Sequence, residues 1–256
     1  MADIFRLHSN RDYAPIIIGN LSPGYCDIDA QLKAIQKILN ILRKSENSDN
    51  TMLFEKFPEE YSEEIVHQSV YNSSAYSMAA ISMIAPFIEM LFHRLFNDRN
   101  CRERFMKVAD KNHVRWKLDE ADHWSLCYWY DVSMNSGKYK QKSTYKSIIQ
   151  ICEAIDLTPY LPNDFDKVIK IVFEYRNTMF HNGFEWPLNK RKKFQEMIKN
   201  MSCPISWIDL ATSGREPNQE PWAFYLSEEF IKHCMNNIEK TLEGIGAYDR
   251  WIDTQT

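Results

Sequence analysis

Apolar residues recur every three to four positions along most of the chain, which is the spacing of one face of an α-helix. This pattern predicts an all-α fold. Inside the long second helix we expect a kink or a break at Pro86, because proline lacks the backbone donor of a helical residue. The polar stretch Ser45–Asn50 predicts a loop. The predicted helices cover about residues 27–45, 61–96, 145–155, 164–181 and 188–201, and a last helix begins near Ser227.

Residues 99–139 do not keep the helical spacing. Three tryptophans and two tyrosines fall between residues 115 and 131, so this region is aromatic-rich. We interpret it as an irregular insertion that packs on a bundle of helices. The predicted organisation is a single domain over residues 1–256, with an N-terminal extension at 1–59, a helical core at 60–98 and 140–256, and the insertion at 99–139.

Glycine is scarce, with 7 glycines among 256 residues. Folds that bind phosphate through glycine-rich loops need this residue where the backbone approaches the ligand closely. The sequence contains neither GxGxxG nor GxxxxGK[ST], which argues against Rossmann domains and P-loop NTPases. The run Asp119–Asp122 spells a helicase DEAD box, but without a phosphate-binding loop its carboxylates have no nucleotide to act on.

Charge and cysteine content limit the ligands and the cellular compartment that we expect for the protein. The formal net charge is −4, so any binding of nucleic acid must be local. The 6 cysteines form no CxxC pair, and we interpret them as reduced thiols of a cytoplasmic protein. No apolar run reaches about 18 residues without a charged interruption, so we expect no membrane span. No HExxH or similar spacing predicts a metal site.

Candidate chemistry lies in the predicted helix 164–181. With Phe165 at zero on a helical wheel, Arg176 falls at about 20°, inside the apolar stripe. Asn177 and His181 fall at about 120° and 160°, just outside it. A buried guanidinium keeps its proton, so Arg176 must meet a carboxylate, a phosphate or a water-filled cleft. The predicted apolar stripe consists of Val168, Ile169, Val172, Tyr175, Met179 and Phe180.

The string from Arg176 to His181 resembles the R-x4-H motif of the HEPN superfamily, in which Asn often follows the arginine, as Asn177 does here. The resemblance implies a HEPN-like helical bundle and a metal-independent endoribonuclease without a cofactor. It also implies an RNA substrate, a homodimer with a composite active site, and a role as a toxin or antiviral defence effector. An antitoxin or a regulatory partner would fit that role.

Metal-free RNA cleavage by attack of the 2′-hydroxyl gives a 2′,3′-cyclic phosphate, and each residue of the motif suits one step. His181 would transfer protons, Arg176 would bind the phosphate oxygens, and Asn177 would orient the phosphate or the imidazole. One histidine per chain supplies only a base or an acid, whereas two chains supply both. Glu89, in the long helix, resembles the acidic residue that family members often carry there, and it would hold Arg176 in place.

One position departs from the family pattern. Family members that are controlled by AMPylation often continue with a tyrosine two residues after the histidine, where this chain has Gly183. The departure argues against control by AMPylation at that position. Gly183 instead predicts the end of the motif helix.

Two groups of cations are candidate RNA contacts. The first is a basic run that begins nine residues after His181 and that equally fits the solvated first turn of the next helix. The second alternates with Tyr139 and Tyr145, and it equally fits a solvated surface. The basic run consists of Lys190, Arg191, Lys192 and Lys193, and the second group of Lys138, Lys140, Lys142 and Lys146.

The residues also leave an alternative open. An arginine at the edge of an apolar stripe is often part of a structural ion pair, and a histidine in a last turn often stabilises the helix dipole. On that interpretation the chain is a non-catalytic helical module for nucleotide binding or protein interaction. A His181 that is hydrogen-bonded inside the core of one chain would favour the module, whereas exposed His181 side chains of two protomers that face one cleft would favour the enzyme.

Overall fold

The computed structural model describes residues 28–56, 62–133, 139–211 and 223–255. Most of the predicted N-terminal extension and Lys138 lie outside the described residues. The described part of the chain is mostly helical, which confirms the all-α expectation at that level.

Seven α-helices and two antiparallel hairpins lie within the described ranges. The helices are α1 Ile28–Lys56, α2 Ser62–Asn97, α3 Arg99–Val108, α4 Thr144–Ala154, α5 Phe165–Asn182, α6 Leu188–Asn200 and α7 Glu228–Thr254. The strands are β1 Tyr128–Tyr130, β2 Lys140–Lys142, β3 Ile208–Ala211 and β4 Ala223–Leu226. Trp129 pairs with Gln141 in the first hairpin, and Ile208 pairs with Leu226 in the second.

One expectation about the first helices is wrong: α1 continues through the expected loop at Ser45–Asn50. Helix α2 continues through Pro86, so the proline does not break it, and the expected kink stays a prediction. The polar stretch contains neither glycine nor proline, so nothing in its backbone chemistry stops a helix.

The regions expected to be irregular contain more regular structure than the pattern predicts. The insertion holds α3, whose first turn is capped by a hydrogen bond from the Cys101 amide to the Asp98 carboxylate at 2.9 Å. It also holds strand β1. The region between α6 and α7, for which the pattern predicts no helix, contains the paired strands β3 and β4. Strands of three or four residues are too short to show a period of two, which is why the pattern missed them.

The chain forms two compact units. The first comprises residues 30–84 and 174–235. In its core, the Ser77 hydroxyl donates to the Tyr175 hydroxyl at 3.3 Å and accepts from the Leu226 amide at 3.1 Å. This hydroxyl therefore links α2, α5 and β4.

An aromatic box fills the same core. Its four rings are all buried, and their centroids lie 5.0–6.4 Å apart. The box joins α5, the turn after it, α6 and β4, so it fixes the end of the helix that carries the motif. The members of the aromatic box are Tyr175, Trp186, Phe194 and Phe224.

The second unit comprises residues 85–173 and 236–256. The Arg115 side chain is fully buried there, and its guanidinium donates to four backbone carbonyls. Burial lowers the pKa of Arg115 to about 10. Arg115 therefore organises the aromatic-rich insertion from inside. The four carbonyls belong to Asp122, His123, Ser125 and Tyr128.

Helix α2 bears on the membrane expectation. Its stretch His67–Asn97 is long and apolar enough to cross a membrane, with a mean hydropathy of 1.5 in its most apolar window. Inside the protein, 56% of that window is buried. Core helices of soluble proteins have the same length and composition, so this stretch is weak evidence for a membrane span.

Candidate functional site

The last two turns of α5 carry the motif residues predicted from the sequence. The helix has Asp166 in its first turn and His181 in its last, which matches the helix dipole at both ends. It ends because Gly183 adopts a φ of +65°, and the Gly183 amide donates to the Met179 carbonyl at 2.8 Å. Asn177 and His181 are exposed, as the wheel predicts, and Arg176 is half-buried.

Arg176 and Asn177 lie in contact. The Nε and Nη2 atoms of Arg176 donate to Oδ1 of Asn177 at 3.4 and 3.3 Å. These are long hydrogen bonds, and the half-buried guanidinium keeps an exposed part. The amide thus holds the guanidinium beside the last turn of α5, where it is able to bind an anion.

His181 differs from its two neighbours in the motif. Its side chain is exposed and forms no hydrogen bond or ion pair with any residue that the structure describes. Because no hydrogen bond or ion pair with a described residue orients the imidazole, the backbone at the end of α5 largely decides its position. An imidazole in this state is available for proton transfer to a bound ligand.

Phe180 corrects the predicted stripe. Met179 is buried, as expected, but 69% of Phe180 is exposed. Phe184 and Leu188, each four residues further on, are also exposed. The wheel places Phe180 in the same apolar stripe of the helix as Met179. The core does not extend along this side as far as Phe180, so the ring stays uncovered. Phe180 therefore lies next to His181 as an uncovered apolar side chain.

The turn that follows the motif is held by Trp186 in the aromatic box. The indole Nε1 of Trp186 donates to the carbonyl oxygen of Gly183 at 3.1 Å. The ring is buried against Tyr175, which directly precedes Arg176 in the chain. The core thereby fixes the backbone on both sides of the motif.

Tyr71 of α2 contacts the same turn. Its hydroxyl donates to Oε1 of Glu185 at 2.5 Å, and its ring meets the ring of Phe184 edge-on at 5.8 Å. The accepting carboxylate favours the protonated phenol and raises the pKa of Tyr71 above its usual value. Sequence reasoning missed this pair because its members lie 114 positions apart.

The basic run occupies the first turn of α6. Lys190, Lys192 and Lys193 are exposed, whereas Arg191 is half-buried. Within the described part of the chain, Nε and Nη1 of Arg191 are buried and have no hydrogen-bond partner. The run follows His181 after a turn that the core holds in place, so its position relative to the motif is defined by Trp186.

Two members of the second group of lysines, Lys140 and Lys146, pack on the protein's own rings. Lys140 forms an ion pair with Asp122, and its ammonium lies 4.2 Å from the centre of the Tyr128 ring. The ammonium of Lys146 lies 3.9 Å from the Trp129 ring. These contacts favour a structural role for the lysines over RNA binding.

Glu89 is half-buried in α2. It belongs to the second compact unit, whereas Arg176 belongs to the first. An ion pair between the two residues therefore stays a prediction.

Comparisons with known proteins do not assign the chain to a family. No protein-family model, curated protein or solved structure matches the chain. The resemblance to HEPN proteins therefore rests on the motif and on the position that α5 gives it. Within the described residues, no group of three or more His, Cys, Asp or Glu side chains is arranged to hold a metal ion.

Proposed function

We propose that this chain is a metal-independent endoribonuclease of HEPN type. It cleaves RNA by attack of the 2′-hydroxyl on the adjacent phosphorus, which gives a 2′,3′-cyclic phosphate and a free 5′-hydroxyl. The observation that carries the proposal is the exposed His181, with no hydrogen bond or ion pair of its side chain among the described residues, five positions after Arg176.

The chemistry assigns one task to each motif residue. The guanidinium of Arg176 binds non-bridging phosphate oxygens and stabilises the charge that develops on them. Asn177 contacts this guanidinium and keeps it directed to the phosphate. His181 removes the proton from the 2′-hydroxyl or protonates the leaving 5′-oxygen, and general catalysis of this kind contributes about 10²- to 10⁴-fold. The exposed lysines at 190, 192 and 193 add attraction for the RNA backbone.

A homodimer completes the site in this proposal. A single His181 acts either as the base or as the acid, so two motif helices in one cleft supply both groups. The exposed Phe180 beside His181 supports an interface at this place, because a second copy of the chain would cover it. Cleavage of cellular RNA would stop growth of the cell or of an infecting virus. In this proposal the protein is therefore a cytoplasmic toxin or antiviral effector.

The decisive experiment is cleavage of a fluorescent RNA in the presence of EDTA, with sequencing of the RNA ends. We expect wild-type cleavage to leave cyclic phosphate ends, and His181→Ala and Arg176→Ala to lower kcat by at least about 10²-fold. His93→Ala is the matched control, because His93 is an exposed histidine on another helix. Cleavage by His181→Ala at the wild-type rate would contradict the proposed role of His181. A wild type that cleaves no RNA would favour the non-catalytic binding module.

A cellular experiment tests the biological role. Expression of the wild-type chain should arrest growth, and expression of His181→Ala at the same level should not. Cyclic phosphate ends should accumulate in cellular RNA only with the wild type. Equal growth arrest by both chains would show that the toxicity does not depend on RNA cleavage by His181.

A further inference from the structure

The last turn of α5 depends on the turn that follows it. The His181 side chain has no hydrogen bond, ion pair or ring contact with the described residues, so the path of the backbone largely sets where its imidazole lies. This backbone passes from Asn182 into the turn 183–187. Any group that fixes the turn therefore also fixes His181.

Helix α2 reaches the turn that follows His181. The Ser77 hydroxyl donates to the Tyr175 hydroxyl in α5, and the Tyr71 hydroxyl donates to the Glu185 carboxylate in the turn after α5. An earlier residue of α2 therefore meets a later residue of the other segment, so the two run antiparallel here. Tyr71 thus contacts the turn three to four positions after His181.

The turn is anchored from two sides. Trp186 holds it from the core through the hydrogen bond to Gly183. Tyr71 holds it from α2 through the short hydrogen bond to the Glu185 carboxylate and the edge-on contact with Phe184. A hydrogen bond to a carboxylate is stronger than one between neutral groups. Without the hydroxyl of Tyr71, the turn would keep the hydrogen bond from Trp186 and the ring contact with Phe184, but would lose its only described hydrogen bond to α2.

We propose that Tyr71 is a positioning residue: its hydroxyl, through Glu185, holds the turn after His181 and so fixes where His181 presents its imidazole. The role in cleavage rests on the proposed endoribonuclease function. The role in ordering the turn does not, and it is measurable without RNA.

The first arm of the test is amide hydrogen exchange of the free protein. Tyr71→Phe keeps the ring on Phe184 and removes only the hydroxyl. We expect it to speed exchange of residues 180–187 several-fold and to leave the core helices unchanged. Glu185→Ala should have the same effect. Tyr139→Phe is the matched control, because it removes a hydroxyl from an exposed tyrosine of the other unit.

The second arm is cleavage kinetics with the same proteins. We expect Tyr71→Phe and Glu185→Ala each to lower kcat about tenfold and to leave KM within about twofold, because misplacement of a catalytic group affects the reacting geometry. Glu185→Gln retains an oxygen that accepts the hydroxyl, so it should recover much of the exchange protection and of kcat, although the hydrogen bond to a neutral amide is weaker. The double variant Tyr71→Phe/Glu185→Ala should have the same exchange rate and the same kcat as either single variant.

Several outcomes would overturn the proposal. Unchanged exchange at residues 180–187 in Tyr71→Phe would show that the hydroxyl does not hold the turn. Faster exchange throughout the chain would show a general loss of stability instead. If Glu185→Gln lowered exchange protection and kcat as much as Glu185→Ala, the charge of Glu185 and not its hydrogen bond with Tyr71 would be responsible. If the losses in kcat of the two single variants added up in the double variant, Tyr71 and Glu185 would act independently. If wild-type protein cleaves no RNA, the proposed function fails and the exchange arm still decides whether Tyr71 holds the turn.

Discussion

The indole nitrogen of Trp186 donates a hydrogen bond to the carbonyl oxygen of Gly183, three positions earlier in the chain. Gly183 has a φ of +65°, and its own amide closes the last turn of α5. A buried tryptophan and a left-handed glycine thus end the helix that presents His181. The geometry of the candidate site depends on this short turn as much as on the motif itself.

Replacement of Gly183 tests the left-handed helix end. An alanine Cβ at this position would have no atom within 4 Å, so its cost comes from the backbone alone. We expect Gly183→Ala to lower the free energy of unfolding by about 1–2 kcal/mol, measured by urea denaturation. Gly183→Asn should cost less, because asparagine tolerates this conformation better. Equal stability of all three proteins would contradict the helix end described above.

Gly244, inside α7, tests close packing in the second unit. An alanine Cβ at this position would lie 1.9 Å from the carbonyl oxygen of Tyr160. Helix propensity alone would make Gly244→Ala stabilising by about 1 kcal/mol. We expect the clash with backbone to outweigh propensity and to destabilise the protein by about 1–3 kcal/mol in urea denaturation. Glu243→Ala, at an exposed neighbouring position, should change stability little, and a stabilised Gly244→Ala would contradict the packing.

Phe180 tests the proposed homodimer. Phe180→Asp places a charge on the exposed ring position beside His181, and burial of that charge in an interface is costly. We expect the dimer to dissociate at concentrations at least about tenfold higher than for the wild type, with a matching loss of cleavage. Sedimentation measures the first effect and RNA cleavage the second. Val132→Asp is the control at another exposed apolar position, and a Phe180→Asp dimer as stable as the wild type would exclude Phe180 from the interface.

Glu153 predicts a pH dependence of stability. Partial burial, and then the nearby charge of Asp166, raise the pKa of the Glu153 carboxyl in the folded protein. A raised carboxyl pKa contributes stability below the unfolded pKa, and this contribution is lost as the pH rises through the folded value. The charged group therefore destabilises the fold at pH 7.

Glu153→Gln removes that charge. We expect it to raise Tm at pH 7 and to have little effect at pH 4, where the wild-type carboxyl is largely protonated. Glu120→Gln is the control at an exposed position. A gain in Tm that is equal at both pH values would contradict the assignment.

The predicted helices agree with the structure where the apolar spacing is long and regular. Helix α5 was expected at 164–181 and is found at Phe165–Asn182, and α6 was expected at 188–201 and is found at Leu188–Asn200. Helical spacing is a local property, so it is visible in the sequence. The strand pair β3–β4 was missed because strands of four residues are too short to show a period of two.

By itself, the sequence determined that the chain is mainly helical and that Arg176, Asn177 and His181 share the end of one helix, because both follow from the 3.6-residue period. The tertiary structure alone decided which side chains are covered. It left Phe180 exposed although the wheel placed it in the apolar stripe, and it brought Tyr71 to Glu185. Burial and hydrogen-bond partners depend on residues far apart in the chain, and no local pattern records them.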